Sequence, residues 1–125
     1  MSHGASDSGL LRGLIMHAFD VLADPVRRRI LEILTQGEHA SGEVVKIVGR
    51  EFGIGQSAVS QHLKVLRDNG FANVTVSGAK RIYAIDATPL SEVDEWLSQF
   101  RKYWGPRFEA LAMEVARGRR KRKSR

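Results

Sequence analysis

The chain has 125 residues, no cysteine and a formal net charge of +6, which allows one domain with a modest core. The missing cysteines exclude disulfides, thiolate metal sites and cysteine nucleophiles and suit a reducing cytoplasm, and no apolar run of about 18 residues is present to span a membrane. The charge is unevenly placed. Residues 117–125 carry seven basic groups and no acid, and residues 25–82 hold nine Lys/Arg against five Asp/Glu. The flanks are acidic, with one basic group against three acids in residues 1–24 and three against six in residues 83–116. A basic middle between acidic ends predicts one face for a polyanion and another for a different partner.

Residues 1–9 are polar, lack the basic-then-apolar pattern of a signal segment and read as a flexible start. From residue 10, Leu10, Leu11, Leu14, Ile15, Ala18, Phe19 and Leu22 recur at helical spacing and predict a first helix ending near Ala23. Asp24-Pro25 restarts the chain, since Asp is a good N-cap and Pro is tolerated at the first helical position. The second helix carries Val26, Ile30, Ile33 and Leu34 on one face and stops at Gly37. Ser41 is positioned to cap a third helix with apolar Val44, Val45, Ile47, Val48 and Phe52. Gly53-Ile54-Gly55 reads as a tight turn. A fourth helix from about Ser57 to Asn69 buries Ala58, Val59, Leu63 and Leu66. Its other face, Gln56, Ser57, Ser60, Gln61, Lys64 and Arg67, is polar and free of acid.

At Ala72 the period changes to two. Residues 73–76 and 81–85 read as strands around the turn Ser77-Gly78-Ala79-Lys80. Thr88-Pro89 opens a last helix with the stripe Leu90, Val93, Leu97, Phe100, Trp104, Phe108, Leu111 and Val115. Gly105-Pro106 is expected to kink or split it near Trp104, because the residue before a proline resists helical angles. The fold class is therefore mainly α with a small β-hairpin wing, a winged helix-turn-helix over residues 10–116. The basic segment 117–125 reads as a disordered tail, either a solvated end or a source of sequence-independent DNA affinity.

In such an arrangement the fourth helix fits the DNA major groove. Gln56, Ser57, Ser60 and Gln61 are placed to read base edges, and Lys64 and Arg67 to meet phosphates or flanking bases. Lys80 and Arg81 on the hairpin can reach the backbone or the minor groove. Arg27, Arg28 and Arg29 are either surface charges paired with Glu32 and its neighbours or further phosphate contacts. His62 is expected to pack or cap locally, and His17 to lie in an interface or the core. Asp20, Asp24 and Asp86 show no spacing of paired catalytic carboxylates, and no nucleophile–base pair is visible, so no enzyme is expected.

The strings FDVLADPVRRRILEIL, GQSAVSQHLKVLRDNGF and SGAKRIYAID resemble the arsenic-repressor (ArsR) family of winged-helix regulators, over about residues 17–115. The pattern around Ser60, His62, Leu63, Leu66 and Gly70 carries most of the likeness. The resemblance implies a homodimer paired through its first and last helices, with Leu11, Leu14, Ile15, Phe100, Trp104, Phe108 and Leu111 as candidate interface residues. It also implies a DNA-binding regulator, most readily a repressor occupying a pseudo-palindromic operator in the cytoplasm, at the nucleoid of a bacterial-type cell. Many members release DNA on binding metal. The family's thiolate site needs cysteines, and its other usual site needs histidine on the last helix pair, where residues 89–117 have none; no metal or other cofactor is expected. Three features depart from the pattern: a stretch Ser41–Phe52 about one turn longer than usual, Gly55 where a serine cap is usual, and Gly105-Pro106. The competing readings are an RNA-binding winged helix and a protein-interaction module. Any small-molecule effector is unknown.

Overall fold

A computed structural model of the chain describes residue 13 and residues 17–123, with side chains through residue 118. Its elements are α1 (residues 17–22), then α2 (Pro25–Leu34), β1 (His39–Ala40), α3 (Ser41–Phe52), α4 (Gln56–Asp68), β2 (Ala72–Ser77), β3 (Lys80–Ile85), α5 (Thr88–Ser98) and α6 (Arg101–Lys123). The expected interface residues Leu11, Leu14 and Ile15 lie outside the described residues. The chain divides after Val93 into two compact units.

In the first unit, Asp24 holds extended backbone and caps α2. Its Oδ1 accepts from the Val26 N–H at 2.8 Å and the Arg27 N–H at 3.2 Å, with Pro25 at the first helical position. Burial works to raise the Asp24 carboxyl. The backbone donors of Arg27 and Val26, helped by the charges of His62 and Arg27, outweigh it and hold the carboxyl below the ordinary aspartate value. A depressed carboxylate adds stability that is present above its unfolded-state pKa and lost as pH falls through the lower folded-state one. Asp24→Ala is therefore expected to cost ~0.5–2 kcal/mol in urea unfolding at neutral pH, with the deficit shrinking in acid. Asp24→Asn, which keeps a capping oxygen but no charge, is expected to retain most of the stability and lose that pH dependence. Equal deficits for Asp24→Ala at neutral and strongly acidic pH would contradict the assignment.

The next residues close the other side of the same corner. Arg27 donates from Nε to the Val21 carbonyl at 2.8 Å and from Nη2 to the Asp20 carbonyl at 2.9 Å. Arg28 Nη1 reaches the carbonyls of Leu22 and Ala23 at 2.7 and 3.1 Å. Those carbonyls end α1, where helical partners run out and the helix dipole favours a cation. Arg29 forms a two-point pair with Glu51 of α3 at 2.8 and 3.0 Å and lies 3.5 Å from Glu32. All three arginines thus have internal partners.

Helix α3 begins one residue earlier than its sequence suggests. Ala40 occupies the N-cap position, with no side-chain cap bond, and Ser41 is already helical. The reason is β1, a two-residue strand that pairs His39 with Tyr83 and Ala40 with Ile82 and so holds Ala40 extended. The sheet has the antiparallel order β1-β3-β2, one strand more than a hairpin. Three core expectations also change. Ile47 and Phe52 are 37 % and 39 % exposed, and Ala58 lies on the outer surface of α4, one residue off the stripe at Val59, Leu63 and Leu66. Those three pack with Ile30, Leu34, Val44, Val48 and Phe71, each almost wholly removed from solvent.

Helix α4 ends in a Schellman turn. The Phe71 N–H bonds to the Leu66 carbonyl at 2.9 Å and the Gly70 N–H to the Arg67 carbonyl at 3.1 Å. Gly70 supplies the left-handed conformation, φ 78°, and buried Phe71 follows it beside buried Leu66. The turn fixes how the chain leaves α4 and enters β2. The hairpin then runs from Ala72 opposite Ile85 to Ser77 opposite Lys80. Gly78, φ 61°, stands at the first central position of the two-residue connection, where a II′-type turn requires glycine.

In the second unit, α6 starts at Arg101 and contains Pro106, so the break falls at residues 99–100 and not near Trp104. The Phe100 N–H bonds to the Leu97 carbonyl and the Tyr103 N–H to the Phe100 carbonyl, both at 3.0 Å. These tight three-residue bonds restart the helix. Pro106 then falls in its second turn and removes only one ladder bond. The rings of Trp96, Phe100 and Trp104 splint the joint, with successive centroids 5.0 and 5.9 Å apart, and Arg101 pairs with Asp94 at 2.7 Å. The α6 backbone takes in the basic segment as far as Lys123.

Candidate nucleic-acid interface

With Val59, Leu63 and Leu66 anchored in the core, the helical period turns Gln56, Ser57, Ser60, Gln61 and Lys64 outward, all exposed, with Arg67 at the edge. These six residues line one side of an open cleft of about 580 Å³, and Arg81 of β3 stands on the other. Lys80 is exposed at the end of the hairpin but does not line the cleft. Two lining residues, Ser41 and Leu63, were not expected there. Ser41 is brought there by the pairing of β1 with β3, which the sequence does not announce, whereas Tyr83 follows from its place two residues after Arg81 on β3.

No carboxylate lines this cleft. The side chains of Lys64 and Arg81 make no hydrogen bond or ion pair among the described residues, so their charges are free for a ligand. Arg67 donates from both Nε and Nη2 to Asp68 Oδ1 at 3.1 Å. That pair is partly exposed and therefore weak, so a phosphate can displace it. A second cleft of about 560 Å³ is lined by His17, Asp68, Asp86 and Glu92 among others. The two are nearly equal in size. Charge decides between them, because three carboxylates repel a polyanion. His17 is exposed and so is not a core residue.

His62 packs inward on α4, its Nδ1 3.9 Å from Asp24 Oδ1. Among the described residues, it is the enclosed side-chain atom left without a hydrogen-bond partner. Also among these residues, no group of three His, Asp or Glu side chains is gathered as a metal site. No helix among them is long and apolar enough to cross a membrane.

Three helices, a glycine turn, an outward hydrogen-bonding helix face and two long paired strands define a winged helix-turn-helix DNA-binding domain. Residues 24–74 match the family model described as bacterial regulatory protein, arsR family. The HTH-type transcriptional regulator Rv2034 of Mycobacterium tuberculosis is 37% identical over 83 residues, covering 66% of this chain and 74% of that protein. The transcriptional repressor SdpR of Bacillus subtilis is 26% identical over 84 residues, 67% of this chain and 89% of the relative. A crystal structure of the ArsR family transcriptional regulator RHA00566 superposes with a TM-score of 0.64 at 26% identity, over 75% of this chain and 93% of that one. The chain belongs to the ArsR family of bacterial transcription regulators.

Proposed function

We propose that the protein represses transcription by binding a pseudo-palindromic operator as a homodimer and occluding it. The observation that carries this reading is the acid-free cleft, in which the hydrogen-bonding face of α4 stands beside two unpaired cations. Gln56, Ser57, Ser60 and Gln61 read base edges in the major groove, Lys64 and Arg67 meet its flanks, and Arg81 with Lys80 positions the wing on the backbone. Repression is favoured by the relationship to a protein named as a repressor. The chain acts in the cytoplasm on nucleoid DNA and needs no metal.

Dimerisation is supported by α6. Phe108, Leu111 and Val115 follow Trp104 at helical spacing and are 61 %, 53 % and 53 % exposed, more apolar surface than a lone helix leaves in water. Phe100, Trp104, Phe108 and Leu111 form the proposed contact together with Leu11, Leu14 and Ile15. Sedimentation at micromolar concentration is expected to give about twice the chain mass. A monomer would remove the palindromic operator with the dimer.

Duplex DNA is favoured over single-stranded RNA by Tyr83. It is the aromatic residue of the cleft and its ring is buried, so no platform is left on which an unpaired base can stack. Selection of bound fragments from genomic DNA by the purified protein tests the whole reading. A recurrent inverted repeat is the expected result. Capture of no duplex at low salt would overturn it in favour of a protein-interaction module.

A further inference from the structure

Tyr83 has a second property. It is only 4 % exposed, held in the central strand opposite His39 and Val74, yet it lines the cleft. Its hydroxyl makes no hydrogen bond with any described residue. Nor is the oxygen sealed in, since His62 Nδ1 is the enclosed partnerless atom among those residues. The ring is therefore fixed by packing while the hydroxyl opens to solvent. A tyrosine held in this way offers a donor whose position has already been set.

Two further groups meet it at the same cleft. Ser41 is the first residue of α3, a helix of twelve residues whose N-cap, Ala40, provides no side-chain acceptor. The first-turn N–H groups of such a helix are donors without helical partners, at the positive end of its dipole. Lys64 and Arg81 add two full charges. The cleft lining is rich in donors and free of carboxylates, and the one acid in the first turn of α3, Glu43, is exposed and does not line it. A base edge offers donors as well as acceptors, whereas a phosphate offers acceptors alone, so the chemistry matches a phosphate.

We propose that this part of the cleft seats one backbone phosphate of the bound duplex. The Tyr83 hydroxyl and the N-terminal N–H groups at Ser41 donate to its oxygens, and Lys64 and Arg81 neutralise its charge. The proposal rests on the DNA-binding reading above and adds a contact to it. Tyr83, placed by the sheet, and Ser41, placed by α3, grip the same phosphate, and this sets the depth and register at which α4 enters the groove.

The test is Tyr83→Phe in the full chain, measured on the selected operator and on random duplex over a salt series. The operator is also prepared with a single neutral methylphosphonate at successive backbone positions. The expected result is a roughly tenfold loss of affinity on both duplexes, with the salt slope unchanged because no charge was removed. At one methylphosphonate position, the wild type and Tyr83→Phe are expected to bind equally. Unaltered binding by the variant would overturn the proposal. So would a loss confined to the operator, or one that persists at every methylphosphonate position. Thermal unfolding is expected to be unchanged, since the hydroxyl has no partner among the described residues; a clear fall would assign it a structural role instead. A wild-type chain that binds no duplex at low salt would remove the DNA-binding reading itself, a failure distinct from that of the phosphate seat.

Discussion

Gln61→Ala is expected to weaken binding to the selected operator by ~1–3 kcal/mol while leaving affinity for random duplex unchanged. Gln61 is exposed on the outward face of α4 and lines the cleft. Its side chain makes no hydrogen bond to another described residue, so its truncation removes recognition without disturbing packing. Its amide offers both a donor and an acceptor, which suits a base edge and not a phosphate. Arg81→Ala gives the complementary pattern: weaker binding to every sequence, with the salt slope lowered by up to ~0.9 because one cation no longer faces the DNA backbone. Parallel behaviour of the two variants in the same titrations would contradict the division between reading helix and positioning wing.

Phe71→Ala is expected to destabilise the fold by ~3–5 kcal/mol in urea unfolding. The ring is 1 % exposed and immediately follows the left-handed Gly70 that ends α4. Its removal opens a cavity and takes away the apolar packing that accompanies the Schellman turn. A large share of a small domain's stability is involved. Ala58→Ser is the internal control, since Ala58 lies on the outer surface and such surface changes stay within about 0.5 kcal/mol. A small effect at Phe71 would mean that the core does not close around this turn.

Most of this architecture is legible in the sequence, because it rests on strong local signals. Asp24-Pro25 announces a cap, Gly70 a helix end and Gly78 a hairpin tip, and the stripe Val59, Leu63, Leu66 leaves only the opposite face of α4 turned outward. What stays hidden depends on contacts distant in sequence. A two-residue strand at His39–Ala40 has too few residues to show alternation, so neither the third strand nor the early start of α3 is visible. The arrival of Ser41 at the cleft follows from that strand and is hidden with it. Arg27 and Arg28 read as partners of nearby acids or of phosphates because nothing local says that the carbonyls of α1 lie within reach. Pro106 misleads in the opposite direction. As a strong local signal it suggests a break, but the chain has already turned at residues 99–100.

The Schellman turn and the two-residue hairpin tip bound the wing from either end, and together they set where its length can change without cost to the core. Insertion at Gly70-Phe71 would unseat a core ring. At the exposed tip, between Ser77 and Lys80, one added residue is taken up by a longer turn, whereas two added residues extend the ladder by one cross-strand pair and keep the facing of every side chain. The paired strands can therefore lengthen only two residues at a time. Each such pair would carry the exposed tip with Lys80 further from the core without moving α4.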